Sequence, residues 1–404
     1  MKFLKYGVLG LVVLAVIYVI FNWSNIQRLL RVNSLFDEGK IVHNFSNMNG
    51  LLHSTLLPIP VSDTKHVWPV DKQALPETFL WNGENLNVKD ILEETSTTAL
   101  IVVKDGTIVS EDYYLGTGID DKRISWSMSK SFVSSLVGVA LANGDIKNID
   151  DQVTDYAPSL KGSAYEGATL RNVLHMASGV KFNEDYLDKG SDINKMGRTL
   201  AMGGSLDKFA ANVKTRAREP GSGRQYCSID THVISMVLRN ATGKTLQDYF
   251  LENLWSKMGA GANAWYNTDK DGNAFALGGL NMRTRDYALF GELFRNGGKR
   301  GDEQIIPADW VVASTTESAP KDVEGFPPGY GYQWWMPPKA DGEFYAVGVY
   351  GQYIYVNPKA GIVIAKNSAH REFMDEDKVP ETHMIRNLEL FRGIAEHYSD
   401  WERR

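Results

Sequence analysis

The chain of 404 residues has very little cysteine, a single Cys227, and this scarcity excludes several kinds of site. One cysteine allows neither an intramolecular disulfide nor a cysteine-based zinc or iron–sulfur centre. Long runs of like charge are also missing, because 43 Lys and Arg are interspersed among 49 Asp and Glu, for a net charge of −6. A nucleic-acid-binding protein would show clusters of basic residues, so we expect no nucleic-acid partner.

Several common catalytic motifs are absent as well. The chain has no H-E-x-x-H sequence, no G-x-S-x-G elbow, no Walker loop and no G-x-G-x-x-G after a strand. Its eight histidines do not cluster at the spacing of metal ligands. We therefore predict an activity that needs neither a metal ion nor a cofactor.

Only the N-terminus has a long apolar run, and the mean hydropathy of −0.27 excludes a polytopic membrane protein. The exception is the run Tyr6–Phe21, which follows Lys2 and Lys5 and precedes Trp23. It is a little shorter than the roughly 20 residues that span a bilayer, and no small-residue cleavage site follows it. We predict an uncleaved membrane anchor over residues 1–31, in preference to a removed signal peptide. The rest of the chain would then lie on the extracytoplasmic side of a bacterial inner membrane.

The remainder of the chain divides by its hydrophobic pattern. Residues 32–94 carry scattered prolines between short apolar runs and are predicted to be an irregular spacer. After them, strand patterns over 95–125 and 325–404 enclose a mainly helical stretch over 126–324. This order predicts an α+β fold in which a strand-forming lobe carries an inserted helical region.

Turn and cap residues indicate individual elements. Asp105-Gly106 between two β-rich runs is typical of a hairpin turn, and Asn143-Gly144 ends an apolar helix pattern. Helices are predicted over residues 131–142, 168–176, 228–240, 245–258, 284–295 and 383–398. Strands are predicted over residues 344–349, 352–356 and 362–366.

The main chemical signal is Ser-x-x-Lys, which occurs five times and therefore needs a physical criterion. The copies begin at Ser62, Ser127, Ser178, Ser205 and Ser318. A catalytic pair requires the serine in the first turn of a helix, near free N–H groups, and the lysine one turn later on the same face. Only the copy from Ser127 to Lys130 opens an apolar helix pattern. Burial of that helix would make Lys130 a usable base, whereas a helix cap followed by a solvated lysine is the alternative interpretation.

A tyrosine on a loop is the second candidate group. Tyr226-Cys227-Ser228 follows Pro220-Gly221 and precedes a helix pattern. A phenol near an ammonium group loses its proton more readily and can relay protons to a leaving group. A core tyrosine with a satisfied hydroxyl is the competing interpretation, and Tyr355-Val356-Asn357 is a similar triplet inside a strand pattern.

These segments, in this order, resemble the serine β-lactamase and penicillin-binding-protein superfamily. The Ser127 region is similar to its active-site helix, residues 169–180 (TLRNVLHMASGV) to its L-L-x-H-x-S-G segment, and residues 220–230 (PGSGRQYCSID) to its Pro-Gly…Tyr-x-Asn loop. Residues 276–298 and 351–364 resemble its later helix and closing hairpin. Within the superfamily, the chain is most similar to the class C-like branch of esterases and 6-aminohexanoate-dimer hydrolases.

The resemblance covers roughly residues 95–395 and implies an antiparallel sheet flanked by helices, with the site between the sheet and a mainly helical domain. It implies that Ser127 is the acylated nucleophile, with Lys130 as its base. It also implies that Tyr226 assists proton transfer and that Ser228 takes the place usually held by asparagine. The expected cycle is acylation of Ser127 by an amide or ester, followed by hydrolysis.

One motif of the superfamily is missing, the Lys-Thr/Ser-Gly triplet on the strand before the closing hairpin. Counting back from Gly351 without gaps places Glu343-Phe344-Tyr345 there, and makes the Ala346 N–H the predicted second oxyanion donor beside that of Ser127. The missing lysine would bind the carboxylate of β-lactams and of acyl-D-Ala-D-Ala peptides. Glu343 and the aromatic stretch 330–335 suit a neutral or amine-bearing substrate better.

The leading prediction is a membrane-anchored serine hydrolase that cleaves an amide or ester bond of a small molecule. Two alternatives stay open, a cell-wall D,D-peptidase and a non-catalytic binding module on the same scaffold. The missing lysine disfavours the peptidase. The presence of Ser127, Lys130 and Tyr226 in one chain disfavours the binding module.

Overall fold

The structure, a computed structural model, describes residues 2–58, 65–374 and 380–403. Along these residues, groups of strands are separated by groups of helices. The strands are β1 (Ser54–Leu57), β2 (Thr78–Trp81), β3 (Glu84–Asn87), β4 (Thr97–Lys104), β5 (Thr107–Tyr113), β6 (Lys122–Ile124), β7 (Ala264–Asn267), β8 (Leu280–Arg283), β9 (Lys299–Arg300), β10 (Glu303–Gln304), β11 (Gly329–Tyr330), β12 (Trp335–Met336), β13 (Phe344–Gly348), β14 (Gln352–Asn357) and β15 (Ile362–Ser368). The helices are α1 (Lys2–Phe21), α2 (Trp23–Asn33), α3 (Ile41–Ser46), α4 (Val88–Glu94), α5 (Ser129–Asn143), α6 (Val153–Tyr156), α7 (Leu170–Leu174), α8 (Asp192–Ala201), α9 (Leu206–Ala211), α10 (Ser228–Thr242), α11 (Leu246–Phe250), α12 (Ser256–Met258), α13 (Thr284–Arg295), α14 (Ala308–Ser314) and α15 (Pro380–His397).

Strands from residues 97–113 and from residues 329–368 form one antiparallel sheet of seven strands, in the order β11-β12-β13-β14-β15-β4-β5. β4 and β5 form the predicted hairpin, and its turn residues Asp105 and Gly106 have φ values of 46° and 81°, as a two-residue hairpin turn requires. β15 pairs with β4 and so joins the C-terminal strands to this hairpin. The predicted α+β fold, an antiparallel sheet flanked by helices, is confirmed.

The helix that follows the Ser127 motif lies inside the molecule. Every side chain of α5 from Ser129 to Ala140 is buried, and Phe132 stacks on Phe290 of α13 with 3.6 Å between ring centroids. α13 in turn lies against the sheet, where Gly291 leaves no room for a side chain beside β14 and β15. α5 ends at Gly144, whose φ of 78° is in the left-handed region that favours glycine. The N-terminal end of α5 is thereby held between the sheet and the helices.

Residues 32–94 contain regular structure, so the prediction of an irregular spacer there is wrong. β1 pairs with β7 in a second, four-stranded sheet, β2 and β3 form a hairpin, and α3 and α4 each bury one face. These elements are only four to seven residues long, too short to show a periodic pattern. Pairing with a distant strand, as between Ser54 and Asn267, determines β1. Residues 59–64 of this stretch lie outside the described residues.

The N-terminal apolar residues form α1, which a bend separates from α2. Within the described ranges, no single helix is long and apolar enough to cross a membrane. The segments Gly10–Phe21 and Asn25–Asn33 reach that length and composition only together, with a bend of 73° between them. The membrane anchor stays a prediction.

Candidate active site

Ser127 and Lys130 meet at the N-terminal end of α5. Ser127 lies in a 3₁₀ turn, Trp126–Met128, that leads directly into the helix. Lys130 Nζ donates a hydrogen bond to Ser127 Oγ at 2.8 Å and another to the Leu277 carbonyl oxygen at 3.1 Å. Residues one helical turn apart project from the same face, so the structure brings these two predicted groups into contact.

Burial changes the protonation of Lys130. Its side chain is 2% exposed, and removal from water disfavours the charged form of an amine. Burial therefore lowers the pKa of Lys130 from 10.5 to about 7, although the nearby Glu184 carboxylate acts in the opposite direction. Near neutral pH, a large fraction of Lys130 is unprotonated and can accept a proton from Ser127.

Tyr226 lies on the other side of these two residues. Lys130 Nζ lies 5.1 Å from the centre of the Tyr226 ring, and the Tyr226 hydroxyl interacts with the Ser127 side chain. Burial and the Glu184 carboxylate raise the pKa of Tyr226 above its ordinary value. The expectation that a neighbouring ammonium eases loss of the phenol proton is therefore wrong. Tyr226 is a protonated group that can donate and relay a proton.

Glu184 is a site residue that the sequence analysis missed. Its carboxylate accepts hydrogen bonds from the Ser228 backbone N–H at 2.9 Å and from the Tyr186 hydroxyl at 2.9 Å. Burial raises the pKa of Glu184, while the charge of Lys130 opposes that shift. Glu184 lies in a polar, glycine-containing stretch, and no pattern in that stretch connects it to Ser228, which follows 44 residues later.

Ser228, predicted in the place of the family's asparagine, lies next to Tyr226 at the start of α10. Its side chain is fully buried, and its hydroxyl donates to Glu184. Because one carboxylate binds both its hydroxyl and its backbone N–H, Ser228 anchors Glu184 and is not itself part of the wall of the cavity at Ser127.

Ala346, predicted as the second oxyanion donor, lies two positions before the residue of β13 that contacts the Ser127 turn. It is buried within the sheet, in the middle of β13. The residue of β13 that reaches the nucleophile is Gly348, two positions later, where a Cβ would lie 3.0 Å from the Ser127 nitrogen. Residues 347–349 line the cavity. The assignment of Ala346 as the donor stays a prediction, and Gly348 is a second candidate on the same strand.

Glu343, predicted at the position of the family's lysine, is not among the residues that line the cavity at Ser127. It is 1% exposed, and Arg392 of α15 binds it through Nε, at 2.8 Å, and Nη2. The hydroxyl of Tyr355, a buried residue of β14, also donates a hydrogen bond to Glu343. Glu343 is therefore committed to an ion pair. Of the aromatic stretch 330–335, Trp335 lines the cavity.

The other Ser-x-x-Lys serines have different surroundings. Ser178 donates to a buried carboxylate at 2.8 Å, Ser205 is the N-cap residue of α9, and Ser318 Oγ lies 3.0 Å from a histidine nitrogen. Ser62 lies outside the described residues. Among the described copies, only the serine at 127 lines the cavity.

Ser127 opens into a cavity of about 840 Å³. Among the described residues, its apolar lining includes Phe326, Trp335, Val349, Phe373 and Met384. Carboxylates outnumber cations on the rest of the lining, with Glu184, Asp185, Asp192, Asp322 and Glu324 against Lys181 and Arg218. No group of three or more His, Cys, Asp or Glu over residues 2–58, 65–374 and 380–403 is arranged to hold a metal ion.

Replacement of Gly348 by alanine tests the contact between β13 and the nucleophile. The added methyl group would lie 2.5 Å from the Ser125 carbonyl oxygen, so the strand must move away from the Ser127 N–H. We expect kcat for a nitrophenyl ester to fall about 10- to 100-fold with little change in KM, since misplacement of reacting groups costs rate on that scale. Gly118→Ala, where a Cβ meets no atom within 4 Å, is the control and should keep the wild-type kcat. An unchanged kcat in Gly348→Ala would contradict a role for this strand.

An antiparallel sheet flanked by helices, with a serine–lysine pair at the start of α5 in which the lysine is buried, defines a serine hydrolase with a β-lactamase-like fold. The β-lactamase family model matches residues 87–384 of the chain. The 6-aminohexanoate-dimer hydrolase of Paenarthrobacter ureafaciens is 31% identical over 290 residues, which are 69% of this chain and 74% of that protein. The chain belongs to the β-lactamase family and is a hydrolase, as the resemblance implied.

Two further relatives agree with this assignment. A solved structure from Bacillus anthracis, provisionally assigned as a 6-aminohexanoate-dimer hydrolase, superposes with a TM-score of 0.80 at 24% identity, over 90% of this chain and 95% of that chain. An Escherichia coli K12 protein, provisionally named a D-alanyl-D-alanine carboxypeptidase, is 22% identical over 345 residues, or 66% of this chain and 77% of that protein. The first of these supports the fold over nearly the whole length of the chain.

Proposed function

We propose that the protein cleaves an amide or ester bond of a small molecule through an acyl-enzyme on Ser127. The observation that carries the proposal is the 2.8 Å hydrogen bond between Lys130 Nζ and Ser127 Oγ, in a site where burial lowers the pKa of Lys130 to about 7. Unprotonated Lys130 accepts the hydroxyl proton as Ser127 Oγ attacks the carbonyl carbon. The bond to the leaving group then breaks, and the proton passes by way of the Tyr226 hydroxyl to the departing nitrogen or oxygen.

Two backbone N–H groups are candidates for binding the oxyanion that forms in this step. One belongs to Ser127 at the start of the helical turn, and the other to the end of β13, close to Gly348. Donors that point at a developing negative charge in a site with little water stabilise the transition state. Water then attacks the acyl carbon, Lys130 accepts its proton, and that proton returns to Ser127 Oγ as the carboxylic acid leaves.

The cavity favours a substrate with an apolar chain and an amino group. Its lining combines apolar side chains with carboxylates, Glu184 among them, which outnumber the cations, and such a lining attracts a cationic ligand. The P. ureafaciens relative is named for the dimer of 6-aminohexanoate, a compound with this combination of groups. A D,D-peptidase substrate differs because its carboxylate is on the carbon next to the scissile nitrogen, and the chain has no Lys-Thr/Ser-Gly sequence before its closing hairpin to bind a carboxylate there.

Intact-mass spectrometry of the full-length protein tests the proposal. The protein is mixed with nitrophenyl esters, linear amide dimers of ω-amino acids and penicillin, and each reaction is quenched early. We expect an acyl adduct from the esters, turnover of the amine-bearing amides, and no adduct in the Ser127→Ala variant. A lasting adduct from penicillin alone would support the cell-wall peptidase instead. No adduct and no turnover with any compound would support the binding module.

We also propose that α1 holds the hydrolase at a bacterial inner membrane, on its extracytoplasmic side. Exposed apolar side chains along α1, such as Leu11, Leu14 and Tyr18, support this location, because water disfavours contiguous apolar surface. The full-length protein should stay with the membrane fraction after a high-salt wash, and a Leu11→Lys, Leu14→Lys double variant should not. Recovery of both proteins in the soluble fraction would contradict the proposal.

A further inference from the structure

Two residues next to the reacting centre have an unfavourable backbone conformation. Trp126, immediately before Ser127, has a φ of 43°, and Tyr350, two positions after Gly348, has a φ of 64°. Both values are in the left-handed region, which residues with bulky side chains seldom adopt. Such conformations persist only where the surrounding structure holds them. The groups that hold these two residues therefore help to shape the site.

Phe36 and Phe45, far away in the sequence, pack against both residues. The Phe36 ring stacks on the Tyr350 ring with 4.9 Å between centroids, and lies 6.1 Å from the Trp126 ring. Phe45 contacts the same two rings edge-on, at 5.4 Å from Tyr350 and 5.6 Å from Trp126. The four rings form one cluster directly beside the turn that carries Ser127.

Polar contacts fix the segment that carries the two phenylalanines, residues 34–52. Buried Arg123 of β6 donates to the Val42 carbonyl oxygen at 2.9 Å. Arg371 Nε donates to the Phe36 carbonyl oxygen at 3.0 Å. β6 leads into the Ser127 turn, and Arg371 follows His370, whose backbone N–H donates to the Tyr350 carbonyl oxygen at 3.2 Å. The segment is therefore bound close to both residues with left-handed conformations.

This segment lies outside the part of the chain that the β-lactamase family shares, because the family model begins at residue 87. Neither Phe36 nor Phe45 is among the residues that line the cavity. Any effect of these rings on the reaction must therefore pass through Trp126 and Tyr350.

We propose that Phe36 and Phe45 are positioning residues for the oxyanion site. By holding Trp126 and Tyr350 in their left-handed conformations, the two rings set the distance between the Ser127 N–H and the end of β13. The proposal rests on the acyl-enzyme function of Ser127. It implies that residues 34–52 are needed for full catalytic activity.

Alanine variants of the two phenylalanines, made in the full-length protein, test the proposal. Phe36→Ala and Phe45→Ala should each lower kcat for a nitrophenyl ester about 10- to 100-fold, with KM changed less than about twofold, because the defect lies in transition-state stabilisation. Phe36→Tyr keeps the ring and should restore the wild-type kcat. The pH of half-maximal rate should match that of the wild type in every variant, because the surroundings of Lys130 are unaltered.

Phe79→Ala is the matched control. Phe79 is 3% exposed, compared with 0% for Phe45, and packs against Gly393 of α15. The Phe79→Ala substitution should lower the melting temperature at least as much as Phe36→Ala does, and it should leave kcat unchanged. Wild-type kcat in folded Phe36→Ala would overturn the proposal, as would an equal loss of kcat in Phe79→Ala. If Phe45→Ala does not fold, the partly exposed Phe36 decides the outcome. Failure of the wild type itself to acylate would identify an error in the proposed function instead.

Discussion

Replacement of Ser127 by alanine is expected to lower kcat/KM for ester and amide hydrolysis by about 10⁴- to 10⁶-fold, the range typical for removal of an enzyme's nucleophile. The substitution removes the oxygen that attacks the carbonyl carbon and leaves the cavity and both candidate oxyanion donors in place. Lys130 keeps its hydrogen bond to the Leu277 carbonyl oxygen, so the free energy of unfolding should change by no more than about 1 kcal/mol. Initial-rate kinetics measures the loss of kcat/KM, and thermal denaturation measures the change in stability.

Cys227→Ala is the control that distinguishes the two possible nucleophiles. Cys227 adjoins Tyr226, but its side chain is 4% exposed, and burial raises the pKa of its thiol. A buried thiol with little thiolate is unreactive, so Cys227→Ala should hydrolyse esters at close to the wild-type rate. The opposite result, activity in Ser127→Ala and none in Cys227→Ala, would reassign the nucleophile.

Elements with strong local signals could be predicted from the sequence. The Asp105-Gly106 turn and the glycine that ends α5 encode their own backbone conformations. The predicted helix over 245–258 is interrupted by a π-helical turn at Leu251–Trp255. No residue type in this stretch indicates such a turn. α8 buries Ile193, Met196 and Leu200, and the polar and glycine residues around this helical spacing obscure it. Short elements that depend on distant partners, such as β1, had no local signal at all.

The same distinction applies to the site. Ser127 and Lys130 could be predicted because their contact spans three residues of one helix. The contact of Glu184 with Ser228 depends on how a polar loop folds back across 44 residues, and no local pattern encodes that. The approach of Gly348 to Ser127 depends on the register of β13, which the three residues between β13 and β14 determine. A count along the sequence assumes a loop length, and it gave Ala346, two residues before Gly348, which contacts the Ser127 turn.

Replacement of Lys130 by methionine should lower kcat/KM by about 10²- to 10⁴-fold, the usual contribution of a general base. In the wild type, the active form has unprotonated Lys130, so the rate should rise with pH and reach half its maximum near the pKa of about 7. Glu184→Gln removes a carboxylate that raises the pKa of Lys130 and should therefore move this rise to lower pH. A kcat/KM of Lys130→Met within tenfold of the wild-type value would contradict the assignment of Lys130 as the base. So would a Glu184→Gln variant whose rate rises with pH over the same range as that of the wild type.

The difference in stability between the wild type and Lys130→Met should depend on pH. Because burial lowers the pKa of Lys130 from 10.5 to about 7, the unfolded chain binds a proton more tightly than the folded protein between these two values. The wild type therefore loses free energy of unfolding as the pH falls from about 10 to about 7. Lys130→Met lacks this loss, so its melting temperature should exceed that of the wild type by an amount that grows over this interval and is constant below pH 7. A buried amine that weakens the fold where it is charged and enables catalysis where it is neutral has a functional reason for its position. Equal pH dependence of the two melting temperatures would show that Lys130 has an ordinary pKa and cannot supply the base.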